Sequence, residues 1–333
     1  MKDMKMADVL ELLAFHKDLS VGMAEESFRR LMTGDMTPAQ TGAFLMGLKT
    51  KGERAFELAA AVRAALDQAR LVPGLTGDRI DTCGTGGDNT SSFNCSTAVA
   101  LVLAGMGYQV VKHGNRAVSS TCGSADALEA LGVPLTTEPD EVPGELEKRR
   151  FAFMFAPNYH PAFKHVVPVR KEIGCRTLFN LLGPLLNPAR PTHQILGVAL
   201  PGYVSRLASV LAMTGVRRAC VCHGAGGFDE ITPFGEAQVV WLNEGWLRED
   251  TLDPQALGFT LRRPEEVTVT DREHALGVLR ELLAGDGPEA MRDMVVLNLG
   301  VAIHLLDGLE LPEAMDKARE GLASGAGEKP LHA

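Results

Sequence analysis

The chain has 333 residues, with 33 lysines and arginines against 42 aspartates and glutamates and a formal charge of −9. Hydrophobic residues make up 45% and charged residues 23%, which excludes extended disorder and gives a length of about two domains. The acidic balance excludes nucleic-acid binding through bulk charge, and no uninterrupted apolar run reaches the roughly 18 residues of a membrane helix.

The opening stretch, MKDMKMADVLELLAFHKD, is charged too early and too often for a signal peptide. The first 70 residues then read as helices. Spaced apolar positions mark 7–15 and 22–32, and Thr37 with Pro38 and Gln40 forms a capping box before Phe44, Leu45 and Leu48. An Ala-rich helix runs from Phe56 to Ala69, and Pro73, Gly74 and Gly77 close the block. Strands then alternate with helices. Strands are expected at Arg79–Thr82, Tyr108–Lys112, Phe151–Phe155, Ile195–Ala199, Ala219–Cys222 and Gln238–Leu242. Helices fall between them, near Ser96–Met106, Gly123–Leu131 and Pro201–Thr214. The tail is helical again at 271–283, 289–306 and 312–323, and its last ten residues, SGAGEKPLHA, are expected to fray. This is an α/β pattern with a separate mainly helical domain. Cys83, Cys95, Cys122, Cys175, Cys220 and Cys222 show no metal-type spacing, so free thiols and a cytoplasmic location are expected.

The densest polar signal is DTCGTGGDNTSSFNCST, from Asp81 to Thr97. Gly84, Gly86 and Gly87 allow close backbone approach after a strand, and Asn94, Ser96 and Thr97 add donors at a helix start. That arrangement suits phosphate; a tight turn with ordinary capping is the other reading. It is neither GxGxxG nor GxxxxGK[ST]. After the next strand, Lys112 and Arg116 can neutralise phosphate charge, and Ser119 and Ser120 can donate to it. His113 either orients an acceptor or packs as a plain polar residue. Two strand ends carrying such groups at one sheet edge predict a ligand crevice. Lys148 to Arg190 holds eight basic residues and one acid, Glu172. With Phe155 and Phe163 beside Asn158–Pro161 and Arg170, this suits a small planar acid, or else a solvated basic face. Asp229 and Glu230 on a loop can share a hard cation, although solvated acids have the same spelling.

Taken in order, GTGGDNTSSFNCST, KHGNRAVSS followed by GSADALEALGV, FAPNYHPAFKHVVPVRKEIGCRTLFNLLGPLLNP, and GFDE resemble the anthranilate phosphoribosyltransferase family of tryptophan biosynthesis, over nearly the whole chain. The resemblance implies a nucleoside-phosphorylase-like phosphoribosyltransferase fold. Residues 1–70 would form the main part of an N-terminal helical domain, with a segment near 165–185 as a candidate addition, and the rest of 75–333 the α/β catalytic domain. It implies transfer from 5-phosphoribosyl 1-diphosphate to anthranilate, Mg2+ as cofactor, and a homodimer. Gly84, Asp88, Asn94, Ser96, Thr97 and Lys112 resemble contacts to the diphosphate sugar, and Ser96, Asp229 and Glu230 the magnesium environment. Arg170 resembles the group that meets the anthranilate carboxylate. His113, Asn115, His160 and Gly183 would line the aromatic substrate's path. Lys112, Arg170 and His113 would stand nearest the chemistry, His113 orienting rather than acting as a base. Asn89, Ser92, Thr121, Cys122, Gly226 and Phe228 depart from the common family pattern. The rival readings are a pyrimidine nucleoside phosphorylase and a noncatalytic relative that binds nucleic acid.

Overall fold

The computed structural model describes residues 4–88, 90, 92–116 and 122–333; Asn89, Ser119, Ser120 and Thr121 lie outside the described residues. The chain opens with α1 (Met6–Ala14), α2 (Val21–Thr33), α3 (Pro38–Lys51) and α4 (Ala55–Asp67). The capping box at Thr37 is present: Thr37 Oγ1 accepts from the Gln40 amide, and the Gln40 side chain accepts from the Thr37 amide. Next come β1 (Ile80–Gly84), α5 (Cys95–Gly105), β2 (Val110–Gly114), α6 (Ser124–Ala130), β3 (Leu135–Thr136), α7 (Val142–Arg149) and β4 (Phe151–Phe155). Three short helices follow: α8 (Ala156–Tyr159), α9 (Val167–Ile173) and α10 (Phe179–Leu182). Then come β5 (His193–Gly197), α11 (Val204–Thr214), β6 (Arg218–His223), and the hairpin of β7 (Ala237–Asn243) and β8 (Trp246–Leu252). The order ends with α12 (Arg272–Leu283), α13 (Glu289–Asp307) and α14 (Leu311–Ala323).

The eight strands form one sheet in the order β3-β4-β2-β1-β5-β6-β7-β8. Pairing is parallel from β3 to β6 and antiparallel beyond. The chain builds from β1 to one side and then returns to lay β5 along its other side. The carboxyl ends of β1 and β5, where Gly84 pairs with Gly197, are therefore a topological switch point. Both faces of the central strands are covered. Ile195, Cys220, Cys222, Val239 and Trp241 face a core built with α5, α12, α13 and α14. Leu196, Val198, Ala219, Val221 and Val240 face a second core. That second core also holds the apolar faces of α1 to α4 and α11, together with Ala162, Val166, Leu178, Phe179 and Leu182. The N-terminal helices, the segment around α9 and α10, and one sheet face thus share a single apolar cluster.

Beyond β3 and α7 to α10, which the sequence reading leaves unassigned, two features differ from it. β8 was not anticipated, because six of its seven residues are exposed and charge replaces apolar alternation along this sheet edge. The last residues do not fray. They form a 3-10 helix over Ala326–Leu331 with Ala326, Gly327 and Pro330 buried. A Cβ on Gly105 would lie 1.7 Å from the Ala326 carbonyl oxygen, so this docking depends on glycine and backbone rather than on an apolar pattern. Arg149 also donates to the Pro330 carbonyl at 2.8 Å. No single helix among the described residues is long and apolar enough to cross a membrane.

Candidate active site

A cleft of about 840 Å³ opens at the switch point. The loop after β1 and the first turn of α5 line one wall, through Gly84, Gly86, Gly87, Asp88, Asn94, Ser96 and Thr97. The end of β2 supplies Lys112, His113, Asn115 and Arg116, and the loop after β6 supplies Asp229 and Glu230. Arg170, Arg176, Asn180, Lys49 and Glu53 face them from the helical side. The cleft thus gathers most of the candidates read from the sequence.

The acid loop is seated on glycine. A Cβ on Gly84 would fall 2.3 Å from Asp229 Oδ2, one on Gly197 1.4 Å from the Asp229 carbonyl oxygen, and one on Gly224 1.9 Å from the Glu230 carbonyl oxygen. Three successive strand ends are therefore bare so that this loop can lie on them. Gly86 and Gly87 have φ of 65° and 76°. The Gly86 amide donates to Asp229 Oδ2 at 2.7 Å, so this backbone already holds an anionic oxygen. Arg176 donates to the Gly87 carbonyl at 3.2 Å and reaches the glycine loop from the helical side.

Asp88, Asp229 and Glu230 bring one carboxylate oxygen each within 4.8 Å of one another. Burial and the nearby Asp88 push Asp229 up to about 6; burial, with Asp229 and Asp88 close by, pushes Glu230 well above the usual carboxylate range. Glu230 Oε2 is buried without a hydrogen-bond partner. Three hard oxygen donors that repel one another, one of them orphaned, fit a divalent cation. Ser96 lies beside them, around a small internal cavity shared with Asp229 and Glu230. Asp88 was read from the sequence as a sugar-diphosphate contact only; its carboxylate belongs to the acid cluster.

Lys112 lies beneath this cluster, almost fully buried. It donates to the Thr82 carbonyl and, at 3.2 Å, to Ser96 Oγ. Burial lowers its pKa, while Asp81 and Glu230 work against that shift. Asp81 lies on the other face of β1, where burial raises it to about 6. Its Oδ2 accepts from Asn187 Nδ2 at 2.8 Å, and the same amide nitrogen donates to the Val111 carbonyl at 2.7 Å.

On the helical side, Arg170 lies 5.3 Å over the Phe179 ring, and its Nη2 donates to Asn180 Oδ1 at 3.4 Å. It makes no ion pair among the described residues, and burial lowers its pKa. Lys49 Nζ reaches Cys175 Sγ at 3.4 Å close by. His113 Nε2 lies 3.2 Å from His160 Nε2, and the His160 ring stacks on Phe163. Burial holds both imidazoles neutral near pH 7, His113 at about 3, with His160 adding to the shift, and His160 at about 4.

Two candidates are placed differently from the reading above. His160 is 5% exposed and stands behind His113 rather than on the cleft wall. Gly183 is also off the wall, at the start of a 3-10 turn over Gly183–Leu185. Arg116 stays on the cleft wall, where its guanidinium also pairs with Asp126 and Glu129 on α6, at 2.9 and 2.6 Å. The sequence reading missed Arg176, Gly197 and Gly224. The last two act by absence of a side chain, a signal that appears only when the acid loop is seen lying on them.

A helical bundle set over an α/β sheet, with an acid-lined cleft at the switch point, is the architecture that two glycosyl transferase family models match. The family model described as glycosyl transferase family, a/b domain, matches residues 76–328, and the corresponding helical bundle domain matches residues 7–69. Anthranilate phosphoribosyltransferase of Nitratidesulfovibrio vulgaris is 58% identical over 331 residues, covering 98% of both chains. That of Oleidesulfovibrio alaskensis is 56% identical, covering 99% of this chain and all of the relative. The crystal structure of anthranilate phosphoribosyltransferase from Thermus thermophilus superposes with a TM-score of 0.90 at 39% identity, covering 98% of this chain and 97% of that one. The Saccharomyces cerevisiae enzyme, in complex with PRPP (5-phosphoribosyl 1-diphosphate) and Mg, gives 0.87 at 26% identity, covering 98% and 96%. The chain belongs to this glycosyl transferase family, and within it to the anthranilate phosphoribosyltransferases.

Proposed function

We infer that the protein transfers the 5-phosphoribosyl group from 5-phosphoribosyl 1-diphosphate to the amino group of anthranilate, releasing diphosphate. One observation carries the reading: the acids Asp88, Asp229 and Glu230 and the glycine loop face Arg170 across a single cleft. The relatives named above favour it over nucleoside phosphorolysis and over a nucleic-acid-binding role.

Asp88, Asp229, Glu230 and Ser96 would hold Mg2+, whose chemistry here is to neutralise diphosphate charge. Gly84, Gly86, Gly87, Asn94 and Thr97 would take phosphate oxygens through loop amides and the amino end of α5. Arg176 would add positive charge from the opposite wall, and buried Lys112 would add it from below. Arg170 would pair with the anthranilate carboxylate and hold the ring so that its nitrogen faces the ribose carbon. Asn115 would share that wall. An aromatic amine attacks as the neutral form, so no general base is needed before the C–N bond forms; the proton the nitrogen then sheds would pass to the departing diphosphate or to solvent, and a His113 that stays neutral is suited to orient. His160 and Gly183 would back His113, and Ser119 and Ser120 would complete the phosphate side. The helical side would close over the sheet and exclude water.

The proposal includes a cytoplasmic homodimer and a helical domain made of α1–α4 with the segment around α9 and α10; the packing of α9 on α3 and of α10 on α4 supports the latter. Sedimentation at twice the 35.7 kDa chain mass tests the dimer. The activity is tested by following anthranilate fluorescence with Mg2+ and 5-phosphoribosyl 1-diphosphate and weighing the product. Loss of signal with a phosphoribosyl adduct, abolished by a chelator and restored by Mg2+, is expected. No adduct from folded protein with excess metal rejects the reading.

A further inference from the structure

Helix α13 is apolar along nearly its whole buried length, with one buried polar residue, Asn298, in its middle. Asn298 does not face the open cleft. Its Oδ1 accepts from the Ile231 amide at 3.2 Å, and its Nδ2 donates to the Ile231 carbonyl at 2.7 Å. One side chain therefore pairs with both backbone groups of the residue that directly follows Asp229 and Glu230. The same Nδ2 donates to the Met294 carbonyl at 2.8 Å and lies 3.8 Å from Cys95 Sγ, one residue before Ser96. Asn298 also lines the small cavity shared by Ser96, Asp229 and Glu230.

A buried amide in an apolar helix costs free energy unless its hydrogen bonds are made, and here they go to both backbone groups of Ile231 and to the Met294 carbonyl of its own helix, with the Cys95 thiol at the start of α5 in contact. The glycine seats at Gly84, Gly197 and Gly224 let the acid loop lie low. They do not fix its position along the sheet. The paired hydrogen bonds at Ile231 do. We propose that Asn298 is a positioning residue for the metal site, holding Asp229 and Glu230 in register with Ser96. The inference rests on the reading of those acids as metal ligands and goes beyond it, because Asn298 is not itself a ligand. Loss of a residue that orients metal ligands typically weakens metal binding by about 10- to 100-fold.

The test measures Mn2+ binding to the full chain by electron paramagnetic resonance, alongside steady-state kinetics. Asn298→Leu matches the shape, suits the apolar helix and removes every hydrogen bond. Asn298→Gln keeps both an amide donor and an amide acceptor, set one methylene further out. The Leu variant is expected to bind Mn2+ about tenfold or more weakly, with its anthranilate KM within about twofold of the parent. The Gln variant is expected to recover part of the loss, and it decides the matter alone if the Leu variant does not fold. Mn2+ affinity unchanged in the folded variants overturns the inference. So does a parallel loss of metal and anthranilate affinity, which marks general loosening. A parent chain that fails to bind Mn2+ overturns the metal-site reading itself, a result distinct from either of those.

Discussion

Replacing Gly197 by alanine adds one methyl group at the end of β5, and the structure says what it strikes. The new Cβ would lie 1.4 Å from the Asp229 carbonyl oxygen, 2.4 Å from its carbonyl carbon and 3.2 Å from its Cα. Reaching ordinary contact requires a separation about 2 Å larger at the oxygen. Backbone of a paired strand lies on one side, and the loop that carries the acids on the other, so the loop gives way. A catalytic constellation tolerates about 0.5 Å, and a displacement of 1 Å can cost about 100-fold in rate. Gly197→Ala should therefore reduce kcat about 100-fold and raise the Mg2+ concentration needed for half activity. Crowding should remove about 1–3 kcal/mol of stability, visible as a lower Tm. Anthranilate fluorescence across a Mg2+ series reads the first two effects, and thermal unfolding the third. Gly202→Ala is the control, because a Cβ there meets nothing within 4 Å. A Gly197→Ala protein with parental kcat and metal dependence would refute the claim that the acid loop is seated on bare strand ends.

Arg170→Ala should raise the anthranilate KM by about 10- to 100-fold, the loss of a charge-assisted hydrogen bond, and change the 5-phosphoribosyl 1-diphosphate KM far less. Equal anthranilate affinity in steady-state kinetics contradicts that role. Asp81 supplies a pH test. Its carboxyl is raised from 3.8 to about 6 by burial, so the folded chain holds the proton more tightly than the unfolded chain. The stability it contributes is full below 3.8 and is lost as pH rises through about 6, by up to about 3 kcal/mol. Asp81→Asn removes this linkage, so Tm measured at pH 4.5 and pH 7 should shift in the variant's favour at the higher pH. A gap between variant and parent that is the same at both pH values sinks the argument.

Much of the fold was legible because local chemistry and tertiary structure agree. Thr37, Pro38 and Gln40 announce a helix start that no distant contact overrides. Phe151–Phe155 is apolar throughout because both sheet faces are covered there. β8 was illegible for the opposite reason: an exposed edge strand has no buried side to write an alternating pattern. The final segment misled because small residues and glycine look like a loose tail, whereas here they allow close docking on α5. At the site, the glycine loop, Arg170 and the Asp229–Glu230 pair were readable as types at strand ends. The place of Asp88 among the acids was not, since its carboxylate joins partners 141 and 142 positions further along the chain. Nor could spacing show that Arg116 also pairs with Asp126 and Glu129, or that His160 stands behind His113.

Cys175 has a practical consequence. Of the six free cysteines, it alone is exposed, and it sits on the helical side of the cleft, beside Lys49 and one residue before the arginine that touches the glycine loop. A thiol-reactive dye added to the unaltered protein should therefore choose one address without cysteine substitution elsewhere. With a second label introduced on the sheet, that address becomes one end of a molecular ruler spanning the two walls, able to time their approach in single molecules.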